Sequence, residues 1–270
     1  MAADVTSTEV TPALPAPPPT APPRSSAPHR GRFVVVYATL AAVLGVAIAA
    51  IAIYAGRSIN PAPAWSAWRP HGGGLGAAKD IADHVGAAYR LPSGDQLVDV
   101  IAKPVSVVAS SNQQVPIHYI AITQGKSNDE VIPISGSDSV MYSLCGLGQA
   151  CAISKGKPSV ERGTLVRREV LELALYTFKY VSGVKNIVAF MPPTPGSNPQ
   201  YAVYLQKSEL STELKNPLVD TLSPKTPLPS GISAREQEEI DATTAARTYK
   251  FSLSVTQTGD AVLVFAPIPA

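Results

Sequence analysis

The chain has 270 residues, 22 Lys and Arg against 20 Asp and Glu, a net charge of +2 and two cysteines. Its basic residues are scattered among a similar number of acids, so no nucleic-acid partner is expected. The composition is uneven along the chain, and the residues beyond position 73 are enough for one compact domain with its own core.

Eight prolines fall within residues 1–31, with Ala, Thr and Ser around them. Such a stretch buries too little apolar surface to offset the entropy of ordering it. Residues 1–32 are therefore expected to be a disordered tail, with polyproline-type structure around Pro15–Pro19. Phe33 to Ala55 then runs without a charge, an amide side chain or a proline. As a helix it would be about 34 Å long, enough to cross a hydrocarbon core of about 30 Å. Tyr37 and Tyr54 lie near its ends, with Trp65 and Trp68 beyond, where amphipathic rings favour the interface.

The expectation is one transmembrane helix, 33–55, with the lipid bilayer as its partner. A secretory signal cleaved after Ala55 is the alternative, but its apolar run is normally shorter and starts nearer the N-terminus. Arg24, Arg30 and Arg32 precede the segment and Arg57 and Arg69 follow it. That balance points to a cytoplasmic N-terminus and an extracytoplasmic C-terminal domain at the plasma membrane. Ala38, Ala42, Gly45, Ala49 and Ala52 form a small-residue stripe that would allow close helix packing, although an alanine-rich helix facing only lipid has the same look.

Residues 56–73, rich in Pro, Ala and Gly, are expected as a juxtamembrane stalk before a domain spanning 74–270. A short helix is expected from Leu75 to Tyr89, ended by Leu91-Pro92-Ser93-Gly94. Asp95–Ala102 is ambiguous, since Ser93 and Gln96 have capping-box spacing whereas the valines favour a strand. Ile117–Thr123, Val131–Ile134 and Ser139–Cys145 carry strand signals.

The clearest helix starts at Ser159 or Glu161, runs to Val181 and stops at Ser182-Gly183. At 100° per residue, Val166, Val170, Leu173, Ala174, Thr177 and Val181 form one ridge and Leu171, Leu175 and Phe178 a second beside it. More than half the circumference is apolar, so the helix should be central. Arg168, Glu172 and Lys179 are left as an exposed polar strip. Ile187–Met191 and Tyr201–Gln206 read as paired strands, and Asn216–Gly231 as a surface crossing without regular structure. Ser233 and Glu236 have capping-box spacing and would open a polar helix to about Arg247. Alternation of Tyr249, Phe251, Leu253 and Val255 with Lys250, Ser252 and Ser254, then Thr258-Gly259-Asp260, reads as a closing hairpin. The fold expected is α+β, or α/β: a single mixed sheet packed against one central helix, preceded by one transmembrane helix.

Cys145 and Cys151 are separated by two glycines that permit a sharp reversal. In an oxidising compartment the pair reads as a disulfide. The spacing does not match a redox pair, and without a nearby histidine it makes a poor zinc site. Two free buried thiols are the other reading.

Catalytic signatures are incomplete. His71-Gly72-Gly73-Gly74 has the form of an oxyanion loop, but no Gly-x-Ser-x-Gly elbow accompanies it. Asp80 and His84 are four apart on one helix, with Asp83 beside them, yet a metal would need a third ligand from elsewhere. Glu169 and Glu172 are three apart, but Arg162, Arg167 and Arg168 nearby would keep both ionised in surface or semi-buried ion pairs. Ser182-x-x-Lys185 lies at a helix end, where the acylating motif of that form requires a helix start. No catalytic, cofactor or metal residue is assigned and no cofactor is expected. The leading expectation is an extracytoplasmic binding domain of the cell envelope, with a protein or envelope component as partner. An envelope hydrolase and an accessory subunit of a transport or division complex are the alternatives.

Overall fold

A computed structural model describes residues 30–56, 64–108, 114–123 and 130–268. The proline-rich tail up to residue 29, with its expected polyproline stretch, and the first part of the expected stalk lie outside those residues. The chain divides into two units, residues 1–60 and 61–270.

In the first unit, α1 (Arg30–Gly56) is apolar and exposes its side chains all round between Gly31 and Ile51. A helix of that length with no polar face fits a membrane anchor or a signal sequence.

The second unit is α+β, with one mixed sheet of nine strands. Its strands are β1 (Asp99–Lys103), β2 (Ser106–Val108), β3 (Gln114–Ile122), β4 (Glu130–Pro133), β5 (Ser139–Cys145), β6 (Asn186–Phe190), β7 (Tyr201–Gln206), β8 (Thr248–Val255) and β9 (Ala261–Pro267). Their order is β1-β5-β6-β7-β8-β9-β3-β2, with β4 also paired to β3. Two pairs are parallel, β5 with β6 and β3 with β9. The first of these is joined through α3 (Val160–Tyr180), since parallel neighbours need a crossover. The ambiguous segment after Ser93 resolves as the edge strand β1, paired antiparallel to β5.

Both faces of the central strands are buried. Val140, Tyr142, Ile187, Ala189, Val203 and Leu205 pack in one cluster with α3 and with α2 (Gly74–Ala88). Their alternating neighbours Met141, Val188, Ala202 and Tyr204 join a second cluster with Ile117, Ile120, Leu263 and Phe265 from the far strands. The sheet therefore folds back over its own second face, and each of these central strands serves two cores with period two. The β8–β9 hairpin forms with the expected alternation. Leu253 and Val255 at its tip nevertheless stay exposed, because the paired strands extend past the second cluster.

Helix α3 is central as expected: both apolar ridges are buried. Ser159 is its N-cap, its hydroxyl accepting from the Arg162 N–H at 3.2 Å. The expected exposed strip holds at Lys179 and is corrected at Arg168, which is only 1% exposed. What covers it comes from distant sequence: α6 (Ala234–Thr244), opened by Ser233 as its N-cap, and the segment leading into it. That segment is not wholly irregular either: beyond α4 (Ser211–Lys215), α5 (Leu218–Thr221) interrupts it and Leu218 and Leu222 are buried. Further N-terminal, Trp65 belongs to the domain core, edge-to-face with Tyr176 and Tyr180.

Candidate functional site

Two concave features meet at the N-terminal end of α3. A groove of about 300 Å³ runs between that end and the β6–β7 loop, walled by Ile153, Pro158, Val160, Val166, Met191 and Tyr201. A hollow of about 410 Å³ lies beside it, bordered by Ser93, Asp95, Lys155, Gly156, Lys157 and Pro229. Ser159 and Arg162 border both. The groove is apolar apart from Arg162, Arg167 and a few hydroxyls. The hollow is basic, with Lys155, Lys157 and Arg162 against Asp95.

Arg162 stands out chemically. It is 5% exposed, and no carboxylate lies within salt-bridge distance of it among the described residues. Its guanidinium donates to the carbonyls of Lys155 and, at 3.5 Å, Leu97, while Nε is buried with no partner. Burial pushes its pKa down, as it must for a cation taken from water without a counter-ion. Arg167, five residues on, is by contrast neutralised by Asp241 at 2.7 Å.

The groove's far wall depends on the loop after β5, where Cys145 and Cys151 are joined by a disulfide. The Gly146 N–H donates to the Cys151 carbonyl at 2.8 Å, and the Ser154 N–H returns to the Gly146 carbonyl at 2.9 Å. The reversal is tight for a different reason from the one expected. Positive φ falls on Leu147, Ala150 and Cys151 rather than on the glycines. Gly146 is required because a Cβ there would sit 2.5 Å from the Ile153 backbone nitrogen. Ile153, carried by this loop, is fixed by its N–H to the Pro193 carbonyl at 3.0 Å.

A second group of charges lies deeper. Arg168 Nε donates to Glu236 at 2.8 Å, and its terminal nitrogens reach Glu172 at 3.1 Å, the Tyr89 hydroxyl and the Ser223 carbonyl at 2.8 Å. Tyr89 donates to Glu172 at 2.6 Å. Ser223 donates to Glu236 through both its N–H (2.9 Å) and its hydroxyl (2.8 Å). Burial works to raise the Glu236 pKa, but the Ser223 N–H and Arg168 outweigh it and hold the carboxylate ionised. Glu236 thus does not reach back to close the expected capping box; it is the counter-ion of Arg168. Tyr89 is pushed far above an ordinary phenol by burial and by Glu172.

Glu169, expected in a surface or semi-buried pair, is fully buried, and neither carboxylate oxygen has a partner. Burial first, then the charge of Glu172, drive its pKa well up. Neither it nor any member of the Arg168 cluster borders the groove or the hollow.

No family model, no curated protein and no solved structure matches this chain.

Other sequence candidates are dispersed. Asp80 accepts the His71 N–H at 2.9 Å, while His84 stacks on Trp68 with ring centroids 3.9 Å apart. Among the described residues, no group of three His, Cys, Asp or Glu could hold a metal ion. His118 lies exposed on β3. Arg162 was not singled out from the sequence, although a signal was present: it lies four residues before Val166, on the flank of the buried ridge, and Glu169 follows seven later on the same line.

Proposed function

We propose that this chain is a membrane-tethered binding module of the cell envelope. The apolar α1 anchors it, the tail stays in the cytoplasm, and the folded domain holds its ligand outside, in the groove beside α3. One observation carries the reading: the buried cation left without a counter-ion among the described residues, Arg162, borders the open groove, whereas the carboxylates suited to acid–base chemistry are enclosed in the core. A group that must meet substrate needs access, and Glu169 has none. Support for the location comes from the disulfide, which suits an oxidising compartment, and from the arginines flanking α1.

Two measurements test the proposal. A reporter active only in the cytoplasm should work fused before Phe33 and fail fused at Ala270; the reverse pattern overturns the orientation. A photo-crosslinking residue at Val160 or Tyr201 of the full chain, irradiated in cells, should give a specific adduct that the same residue at the exposed Val219 does not. Equal labelling at all three positions, or none at the groove, overturns the binding site.

A further inference from the structure

We infer that the groove and the hollow form one site for an amphiphilic anion, with an apolar chain along the groove and a phosphate or carboxylate head against Arg162. This rests on the binding reading above and adds the chemical class of the ligand.

Several observations converge on that class. Ile153, Pro158, Val160, Met191, Pro192 and Tyr201 present an apolar wall to an open groove, which favours a hydrocarbon occupant. Val160 is 77% exposed at the first position of α3, where burial against nothing in the domain explains an apolar side chain. Arg162 borders the same groove, buried at 5% exposure, with Nε unpartnered among the described residues. A buried cation without a counter-ion is costly, so an anion arriving beside it is attracted through a medium that screens it poorly.

The side on which the head would lie follows from the guanidinium's neighbours. It donates to Lys155 O, and a Cβ on Gly156 would come within 3.0 Å of its Nη1. Lys155 and Gly156 both border the hollow, so the charged end of Arg162 lies on the side of the basic compartment. Lys155 and Lys157 have no carboxylate within salt-bridge distance among the described residues, leaving three cations around one acid, Asp95. Asp95 is already engaged, accepting from the Ser93 hydroxyl at 2.9 Å.

The start of α3 is not itself the attraction. Glu161 already places a carboxylate in the first turn of the helix, its pKa held down chiefly by its own backbone N–H and the Ser159 hydroxyl. Arg167 is likewise committed to Asp241. The uncommitted charge is that of Arg162 and the two lysines. An anion without a chain would leave the groove unused, and a neutral amphiphile would leave Arg162 unpaired.

The full chain, reconstituted in nanodiscs of neutral phosphatidylcholine, would be titrated with octyl phosphate, inorganic phosphate and octyl glucoside, and amide hydrogen exchange followed. Octyl phosphate should give saturable protection of residues 153–167, at a concentration at least tenfold below that needed for inorganic phosphate. Octyl glucoside should give none. Nanodiscs containing phosphatidylglycerol, with no probe added, assign the source: protection there points to a membrane lipid, and its absence to a free amphiphile, both within the proposal. Equal potency of inorganic phosphate, equal potency of octyl glucoside, or no protection by any probe overturns it.

Arg162→Met should raise the half-saturating octyl phosphate concentration at least tenfold. Val160→Asp, at an exposed position that folding tolerates, should raise it at least fivefold, and Val219→Asp should leave it unchanged. Unchanged affinity in both groove variants also overturns the site. Groove-specific crosslinks together with absent octyl phosphate binding would defeat the amphiphile while leaving the binding module intact.

Discussion

Arg162 and Arg168 are six residues apart on one helix and both are enclosed, yet their surroundings differ in kind. Arg168 meets two carboxylates, a phenol and a carbonyl, and so ties α3 to α6, to the end of α2 and to the loop at Ser223. Arg162 meets two carbonyls and, among the described residues, no acid, and it borders open space. The first arrangement is complete within the protein and acts as a clamp. The second is completed only from outside. Burial of a charge thus says little by itself; whether its counter-ion belongs to the fold separates a structural residue from a candidate ligand contact.

The comparison breaks most visibly at the clamp. Arg168→Ala leaves Glu236 and Glu172 without their cation, so chemical denaturation should show a loss of about 3–5 kcal/mol. A loss under about 1 kcal/mol would mean the cluster is solvated and the contrast false.

Glu169 offers the same contrast with the opposite charge and no opening, so its burial should simply cost stability. Glu169→Met should stabilise the domain by up to about 3 kcal/mol at neutral pH. The dependence on pH has a definite sign. The folded-state pKa lies above the ordinary 4.5, so the folded form keeps the proton longer than the unfolded form does. The stability contribution is whole below pH 4.5 and is lost as pH rises towards the raised folded value. Glu169→Gln cannot titrate there, so its advantage in thermal melts should grow from pH 4 upward. An advantage independent of pH would show that Glu169 is not ionised on unfolding in that range.

Reduction of the Cys145–Cys151 bridge should cost about 2 kcal/mol by loop entropy, and should loosen exchange protection at Ile153 on the groove's far wall. Mass spectrometry finding both thiols free in native, alkylated protein would remove the bridge and weaken the extracytoplasmic placement. The smallest effect is expected at Arg162. Because no carboxylate depends on it, Arg162→Met should change stability by less than about 1 kcal/mol or raise it slightly. A loss as large as that of Arg168→Ala would make Arg162 a structural residue and erase the distinction.

Much of the local structure was legible before any tertiary contact was considered. Hydrophobic run length marks α1 as long enough to span a bilayer. Short β-rich runs bounded by turn residues mark β5 and β7, period-two patterning marks the β8–β9 hairpin, and the 3.6-residue ridges mark α3 as buried on more than one side. Ser159 and Ser233 announce their helices because capping acts within a single turn. The cysteine loop was readable from spacing, although the role of its glycines was not, since the close approach of Gly146 to Ile153 exists only once β5 and the groove wall have met.

Order and burial belong to the tertiary structure. Nothing local places β3 beside β9, with most of the domain's sequence between them, nor turns the sheet back over its second face. The same distance in sequence hides what covers α3's polar strip: Glu236 and Ser223 lie more than fifty residues beyond Arg168, so an arginine that looks solvated on its own helix is dry in the fold. The groove has the same origin. Its walls come from the cysteine loop, the start of α3 and the β6–β7 connection, and a concavity between segments so far apart exists only after they pack. Short-range steric and hydrogen-bonding preferences are written residue by residue, whereas the absence of a counter-ion at Arg162 is a property of everything that packs around it.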